Sequence, residues 1–297
     1  MEIAQPDPVF VEARRALLTA LYALASQNSA VIVAGAQAIY LRTGDLDLAV
    51  APFTTDGDLA LDPSLLSDDP PLELAMRTAH FKLKTKPDGN VEPGIWLTEV
   101  TIQGKQELIP IDLIVPRGAG AQGSWRGARL GPHGNQAARR ILGLEAVLVD
   151  HSPVLIAALD PNDHRTITSE VAGPAALLVS KAHKLHDRVA STKASRLHDK
   201  DAADVLRIMQ TWPVASLSSV ISVLLSDPVA GQPTRDALVY LRDLFGGRSR
   251  PGTAMAADAL RLAMEADTVA VICTSYISQL EAIFGDVMSS ETTPGLS

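Results

Sequence analysis

The hydrophobic pattern of the chain changes period along its length. Residues 8–26, PVFVEARRALLTALYALAS, repeat apolar side chains every three to four positions, the spacing of a helix with one buried face. VIVAGA at 31–36 is a continuous apolar run ending in small residues, the pattern of a buried strand. AQAIYLRTG then reads as a helix stopped at Gly44. DLDLAV (45–50) and DGDLALD (56–62) read as short strands on either side of a Pro-containing break. Pro70 and Pro71 mark the start of a helix that runs to about Phe81. GIWLTEVTI (94–102) and ELIPIDLIVP (107–116) read as a hairpin around QGK. Residues 117–135 are Gly-rich and loop-like, and LEAVLVD (144–150) and RTITSEV (165–171) are further strand candidates.

After Gly173 and Pro174 the period is helical. PAALLVSKAHKLHDRVA and KDAADVLRIMQTW are followed by apolar amphipathic segments to about residue 289. The expected organisation is an α+β domain with a mixed sheet over 1–172, a helical C-terminal domain over 173–290 and a disordered tail over 291–297.

Composition narrows the setting. With 297 residues and 46% hydrophobic side chains the chain can bury a sizeable core. One cysteine, Cys273, excludes an internal disulfide and a cysteine-based zinc site. The start MEIAQPDPVF lacks the features of a signal peptide, and no apolar run suggests a membrane span. A soluble, cytoplasmic protein is expected. The net charge of -8 argues against a general coat for nucleic acid and leaves room for a local basic surface.

The chemistry-bearing positions are acids placed where apolar residues belong. Asp56 and Asp58 sit one residue apart in TTDGDL, and Asp45 and Asp47 form a second pair in TGDLDL. Alternate residues of a strand share a face. Each pair would therefore repel itself, at a cost of several kcal/mol if buried without a partner. A cation removes that cost, and Mg²⁺ prefers few protein carboxylates plus water and phosphate oxygens. Asp112 interrupts the apolar strand IPIDLIV and supplies a third acid. Two acids on one strand and one on a neighbour match a metal-assisted phosphoryl-transfer centre. Ordinary acidic turns would produce the same short phrases.

The helix after Pro174 carries Lys181, Lys184 and Arg188 at i, i+3 and i+7, hence on one face. Between 181 and 200 six cations face two acids, a local charge of +4 in an acidic chain. A solvated basic face would account for this; so would a phosphate contact, in which lysine acts as a point charge and arginine forks onto two oxygens. Asp201 and Asp204 follow at i, i+3. The stretch 117–140 holds Arg117, Arg126, Arg129, Arg139, Arg140, Trp125 and His133 without an acid, a composition suited to RNA backbone or an unpaired base. No GxxxxGK[ST] or GxGxxG phosphate loop, paired-histidine metal scaffold or serine nucleophile elbow is present.

VIVAGAQAIYLR, TTDGDL and PIDLI together resemble the polymerase-β-type nucleotidyltransferase core: a strand, a small-residue turn opening a helix, a strand with paired acids, and a third acid on a later strand. KAHKLHDR followed by KDAAD is similar to the basic helix and downstream acid of AbiEii-type and MenT-type toxins. The resemblance covers roughly 31–210; the helices beyond it carry no placed motif. It implies a fold with this core and NTP as substrate. It implies Mg²⁺ (or Mn²⁺) on Asp56, Asp58 and Asp112, with Asp112 helping to deprotonate the acceptor. Lys181, Lys184, Arg188, Gly35, Ala36, Thr54 and Asp204 would contact nucleotide, and Asp201 would complete the site, for instance by orienting the lysine. The implied acceptor is the 3′ end of tRNA and the implied partner a cognate antitoxin. The turn is Gly35-Ala36 where the family has Gly-Ser or Gly-Gly, leaving backbone N–H groups to hold a phosphate. Asp56 and Asp58 are favoured as the metal pair because a helix and the Asp112 hairpin follow them in order, with Asp45 and Asp47 as the alternative. A small-molecule or protein acceptor, or a non-catalytic nucleotide-binding role, are the competing functions.

Overall fold

The computed structural model describes residues 6–44, 53–119, 127–191 and 200–289. The Asp45–Asp47 phrase, Trp125, Arg126 and the tail 291–297 lie outside the described residues.

Helix α1 (Pro8–Ala23) starts where Asp7 accepts a hydrogen bond from the Val9 N–H at 2.7 Å, with Pro8 in the first turn. Its buried stripe of Phe10, Ala13, Leu17 and Leu21 follows the predicted helical spacing. Strand β1 (Val31–Ala34) passes straight into α2 (Gly35–Thr43), which ends at Gly44 with φ 57°. Strand β2 (Gly57–Leu61) and helix α3 (Leu72–Thr78) follow. The helix expected to reach Phe81 stops earlier, because His80 turns into the left-handed region at φ 65° and redirects the chain into β3 (Lys82–Thr85). Strands β4 (Val91–Ile102) and β5 (Lys105–Pro116) form the expected hairpin. Gln103 and Gly104 both have positive φ, as a two-residue type I′ connection requires.

The segment 144–150 does not form the expected strand. Glu145–Leu148 is a 3₁₀ turn, and the strand, β7 (His151–Ala157), begins only after it. Ala146 and Val147 are buried on every side, and Glu145 accepts N–H bonds from Gly143 (2.7 Å) and Gly118 (3.0 Å). That carboxylate gives the turn partners a ladder would otherwise supply. A short β6 (Arg139–Ile141) begins at the end of the arginine-bearing stretch 117–140, where no strand was expected, and β8 (Thr166–Ala172) forms as predicted.

The sheet runs β3-β4-β5-β2-β1-β8-β7, with β6 also paired to β5. β2 lies parallel to β5 and antiparallel to β1; β1 lies parallel to β8. The fold is α+β around a mixed open sheet. Among the described residues, six helices follow Gly173: α4 (Pro174–Ala190), α5 (Lys200–Thr211), α6 (Val214–Ser226), α7 (Gly231–Phe245), α8 (Pro251–Leu260) and α9 (Ala266–Met288). One continuous hydrophobic core joins the strands to these helices, from Phe10 and Leu59 through Leu185 and Val205 to Leu280. Cys273 lies fully inside it on α9, where burial pushes the thiol up to about 11. By length and composition α9 is apolar enough to cross a membrane, with 39% of its apolar window buried inside the fold.

Candidate functional site

The site begins with register. Asp58 pairs with Asp112 across the parallel β2–β5 ladder, and Gly57 pairs with Ile111. A Cβ on Gly57 would lie 2.8 Å from Ile111 and 3.4 Å from Leu17 of α1, so that pair faces α1. Strand alternation turns Asp58 and Asp112 to the opposite face. Both carboxylates thus stand side by side on one face of the sheet.

Asp56 precedes the first residue of β2 rather than lying inside the strand. Its Oδ1 accepts from Thr54 Oγ1 at 2.5 Å, and its carbonyl accepts from Gln37 Nε2 of α2 at 3.4 Å. Thr54 is fully buried. Burial, and after it the negative charge of Asp56, push the Asp58 carboxyl above its ordinary value. Burial and then Asp58 push Asp112 up to about 7, against the opposing effect of Arg139. Burial is the first cause of both shifts and the charge of neighbouring acids the second, so Asp58 and Asp112 each feel the other carboxylates of the site.

Gly35 explains the close approach of the turn. Its φ is +62°, and a Cβ there would sit 1.9 Å from Asp58 Oδ2. Only glycine leaves room for the acid and tolerates the left-handed backbone. Neighbouring Ala36 is buried in the first turn of α2.

The basic face of α4 meets the first turn of α5. Lys181 is 3% exposed, and its Nζ donates to Asp201 Oδ1 at 2.6 Å and Asp204 Oδ2 at 2.7 Å. Lys184 Nζ lies 3.2 Å from Asp201, and Arg188 also pairs with Asp201. The three cations share a face, as their spacing predicts. Lys181, however, is enclosed between two acids, while the Lys184 side chain remains 45% exposed. Although much of the side chain meets solvent, crowding by surrounding protein and then the charge of Lys181 pull Lys184 below the usual lysine range, opposed by Asp58 and Asp56, which places it within electrostatic reach of the acid trio. The charge of Asp56 is also felt by Arg188 and by Lys200 at the start of α5.

Two further contacts fix this frame. Tyr40 of α2 donates its hydroxyl toward the Phe53 carbonyl (2.9 Å) and Asp204 Oδ1 (3.3 Å), tying α2 to α5. Asp150 accepts from the Ala176 N–H at 2.9 Å and caps the first turn of α4.

Of the arginine-bearing stretch 117–140, Arg117 and Arg129 are exposed, whereas His133 is buried and accepts from the Leu72 N–H at 3.4 Å. Arg139 belongs to the site: its Nη2 pairs with Asp112 Oδ2. Sequence reasoning grouped Arg139 with an RNA-facing loop and missed Tyr40 and Gln37 altogether. The available signal was Asp112 itself, since a buried acid requires a counter-ion. Nothing in the linear spacing identifies which arginine supplies it.

No set of three His, Cys, Asp or Glu side chains among the described residues is arranged to hold a metal ion. The donor chemistry nevertheless suits a hard divalent ion. Asp56, Asp58 and Asp112 bring three negative charges, and among the described residues Arg139 alone is in ion-pair contact with them. Asp56 and Asp58 would hold such an ion with water and substrate oxygens completing its shell.

No protein-family model matches the sequence, and no curated protein matches it. Among solved structures, JHP933 from Helicobacter pylori aligns over 96% of this chain and 100% of its own, with 10% identity and a TM-score of 0.37. At that score the likeness assigns neither fold family nor activity.

Proposed function

We propose that the chain is a metal-dependent nucleotidyltransferase that moves NMP from an NTP to an acceptor hydroxyl. The observation that carries this reading is the Asp58–Asp112 pair, with Asp56 beside it and the cations of α4 opposite. Such a pairing of a buried with a partly buried carboxylate is costly for a fold unless the site serves a cation and a polyanion.

A divalent ion on Asp56 and Asp58 would neutralise phosphate charge and increase the acidity of the acceptor hydroxyl. Lys184 and Arg188 bind the triphosphate oxygens, Lys184 as a point charge and Arg188 as a fork. Lys181 bridges Asp201 and Asp204 and so holds the α4–α5 frame in place. Asp112, with a carboxyl pushed up to about 7, accepts the acceptor's proton near neutral pH. The acceptor oxygen bonds to the α-phosphorus, the α–β phosphoanhydride bond breaks, and pyrophosphate leaves. The tRNA 3′ end as acceptor, growth arrest as the outcome and a cognate antitoxin as partner rest on the family resemblance.

Incubation with each α-labelled NTP, Mg²⁺ and total tRNA tests the reading, with wild type and Asp56→Ala in parallel. Label on tRNA from wild type alone is expected. Equal labelling by both proteins would remove Asp56 from the site. Absence of labelling from a folded wild type, together with Mg²⁺-dependent nucleotide binding, would favour a non-catalytic nucleotide-binding role.

A further inference from the structure

Among the described residues, Arg139 is the cation in ion-pair contact with the acid trio, and it stands where a bound cation would be. Its guanidinium rests on the carboxylate that would complete a three-acid site. Its backbone is fixed on two sides, through Ile114 of β5 and the bridge to Gly127. Gly94 packs so closely that a Cβ there would lie 2.5 Å from the Arg139 backbone nitrogen. The side chain is held less completely. It is 32% exposed, it reaches Asp112 through Nη2, and its buried Nε has no hydrogen-bond partner. A guanidinium engaged by a fork on both sides would have used that donor.

We propose that Arg139 is a resident counter-ion for the acid trio. It neutralises Asp112 in the free protein and swings off it when a divalent cation and nucleotide enter. The proposal rests on the nucleotidyltransferase reading for the identity of the incoming ligands. Its physical basis is local. Only Asp112 of the three acids has a cation in ion-pair contact among the described residues, and a dication drawn to the trio would stand close to that guanidinium. Repulsion between the two then favours side-chain rotation about a fixed backbone. The Nε lacks a partner in the free arrangement and gains one when the guanidinium turns toward phosphate oxygens. Arg139 is thus a positioning residue acting through Asp112. It keeps the third carboxylate neutralised until substrate arrives.

The experiment is Mn²⁺ binding without nucleotide, followed by electron paramagnetic resonance, on the full-length wild type, Arg139→Gln, Arg139→Lys and the double variant Arg139→Gln/Asp112→Asn. Removing the resident cation is expected to tighten Mn²⁺ binding about tenfold in Arg139→Gln, with a smaller gain in Arg139→Lys. The double variant is expected to lose the gain. In thermal unfolding, Mn²⁺ should raise the Tm of Arg139→Gln more than that of wild type. Unchanged or weaker Mn²⁺ binding by a folded Arg139→Gln would overturn the proposal, as would a gain that survives in the double variant. Should Arg139→Gln fail to fold, the same comparison on Arg139→Lys decides. Wild-type tRNA labelling without the Mn²⁺ gain refutes only this inference. The Mn²⁺ gain without nucleotidyl transfer refutes only the catalytic reading.

Discussion

Asp58 and Asp112 stand opposite one another on adjacent parallel strands, on the sheet face turned away from α1. Two ladder partners carrying the same charge work against the fold that holds them. Asp58→Asn removes that repulsion while keeping the side-chain volume. In metal-free buffer at pH 7–8 the variant should gain about 1–2 kcal/mol, a rise in Tm of a few degrees. Nucleotidyl transfer should fall by at least about a hundredfold. Calorimetry and the labelling assay on the same preparation check both halves. A variant that is destabilised and fully active would contradict the electrostatic description of the site.

Lys181 and Lys184 lie one helical turn apart and should behave differently. Lys181→Met leaves Asp201 and Asp204 without their shared buried partner. Breaking such a pair costs about 3–5 kcal/mol, readable as a shift of the urea midpoint. Lys184→Ala, at an exposed position, should change stability by less than about 1 kcal/mol. Its expected effect is on NTP affinity, weakened about tenfold or more in equilibrium binding.

Gly35→Ala introduces a single methyl group where the Asp58 carboxylate already lies. The added Cβ would meet Oδ2 at 1.9 Å with φ held at +62°. A cost of about 1–3 kcal/mol is expected from the backbone alone, with further loss if Asp58 is forced aside. Thermal unfolding gives the first number. Failure of Mn²⁺ to protect the variant would show that Asp58 has moved.

The pH dependence follows from Asp112. Its carboxyl is raised from 3.8 to about 7, so the folded chain holds this proton more tightly than the unfolded chain. The contribution is fully present below about pH 4 and is lost as pH rises toward 7. In metal-free buffer, stability should therefore decline across that window. Divalent cation should flatten the decline by favouring the ionised carboxylate. Unfolding curves at several pH values, with and without Mg²⁺, read the slope directly.

Much of this site was written in local patterns. The turn at Gly35, the acid inside IPIDLIV and the i, i+3, i+7 cations of α4 each follow from periodicity and from the cost of misplaced charge. Asp112 on a strand neighbouring Asp58 and Asp201 beside the lysine were also anticipated, whereas the arginine that pairs with Asp112 was not legible. Arg139 lies 27 residues from Asp112 and looked like part of a mobile basic loop. Lys181 looked like a phosphate ligand, yet two downstream acids enclose it, and periodicity reports a shared face without reporting what that face meets. The strand expected at 144–150 was displaced because Glu145 satisfies two backbone N–H groups itself, a role hydrophobic pattern does not encode.

Cys273 gives the chain an internal reporter. Its thiol is the chain's only one, it lies wholly within the packing of α9, and its raised ionisation leaves little thiolate at neutral pH. An alkylating reagent should reach it when the helical layer opens, so the labelling rate clocks that opening in the native state. Because the same core runs on to the strands beneath Asp58, one reaction separates two kinds of inactive variant. Those that loosen the frame will label faster, and those that alter only the charges at the site will keep the wild-type rate.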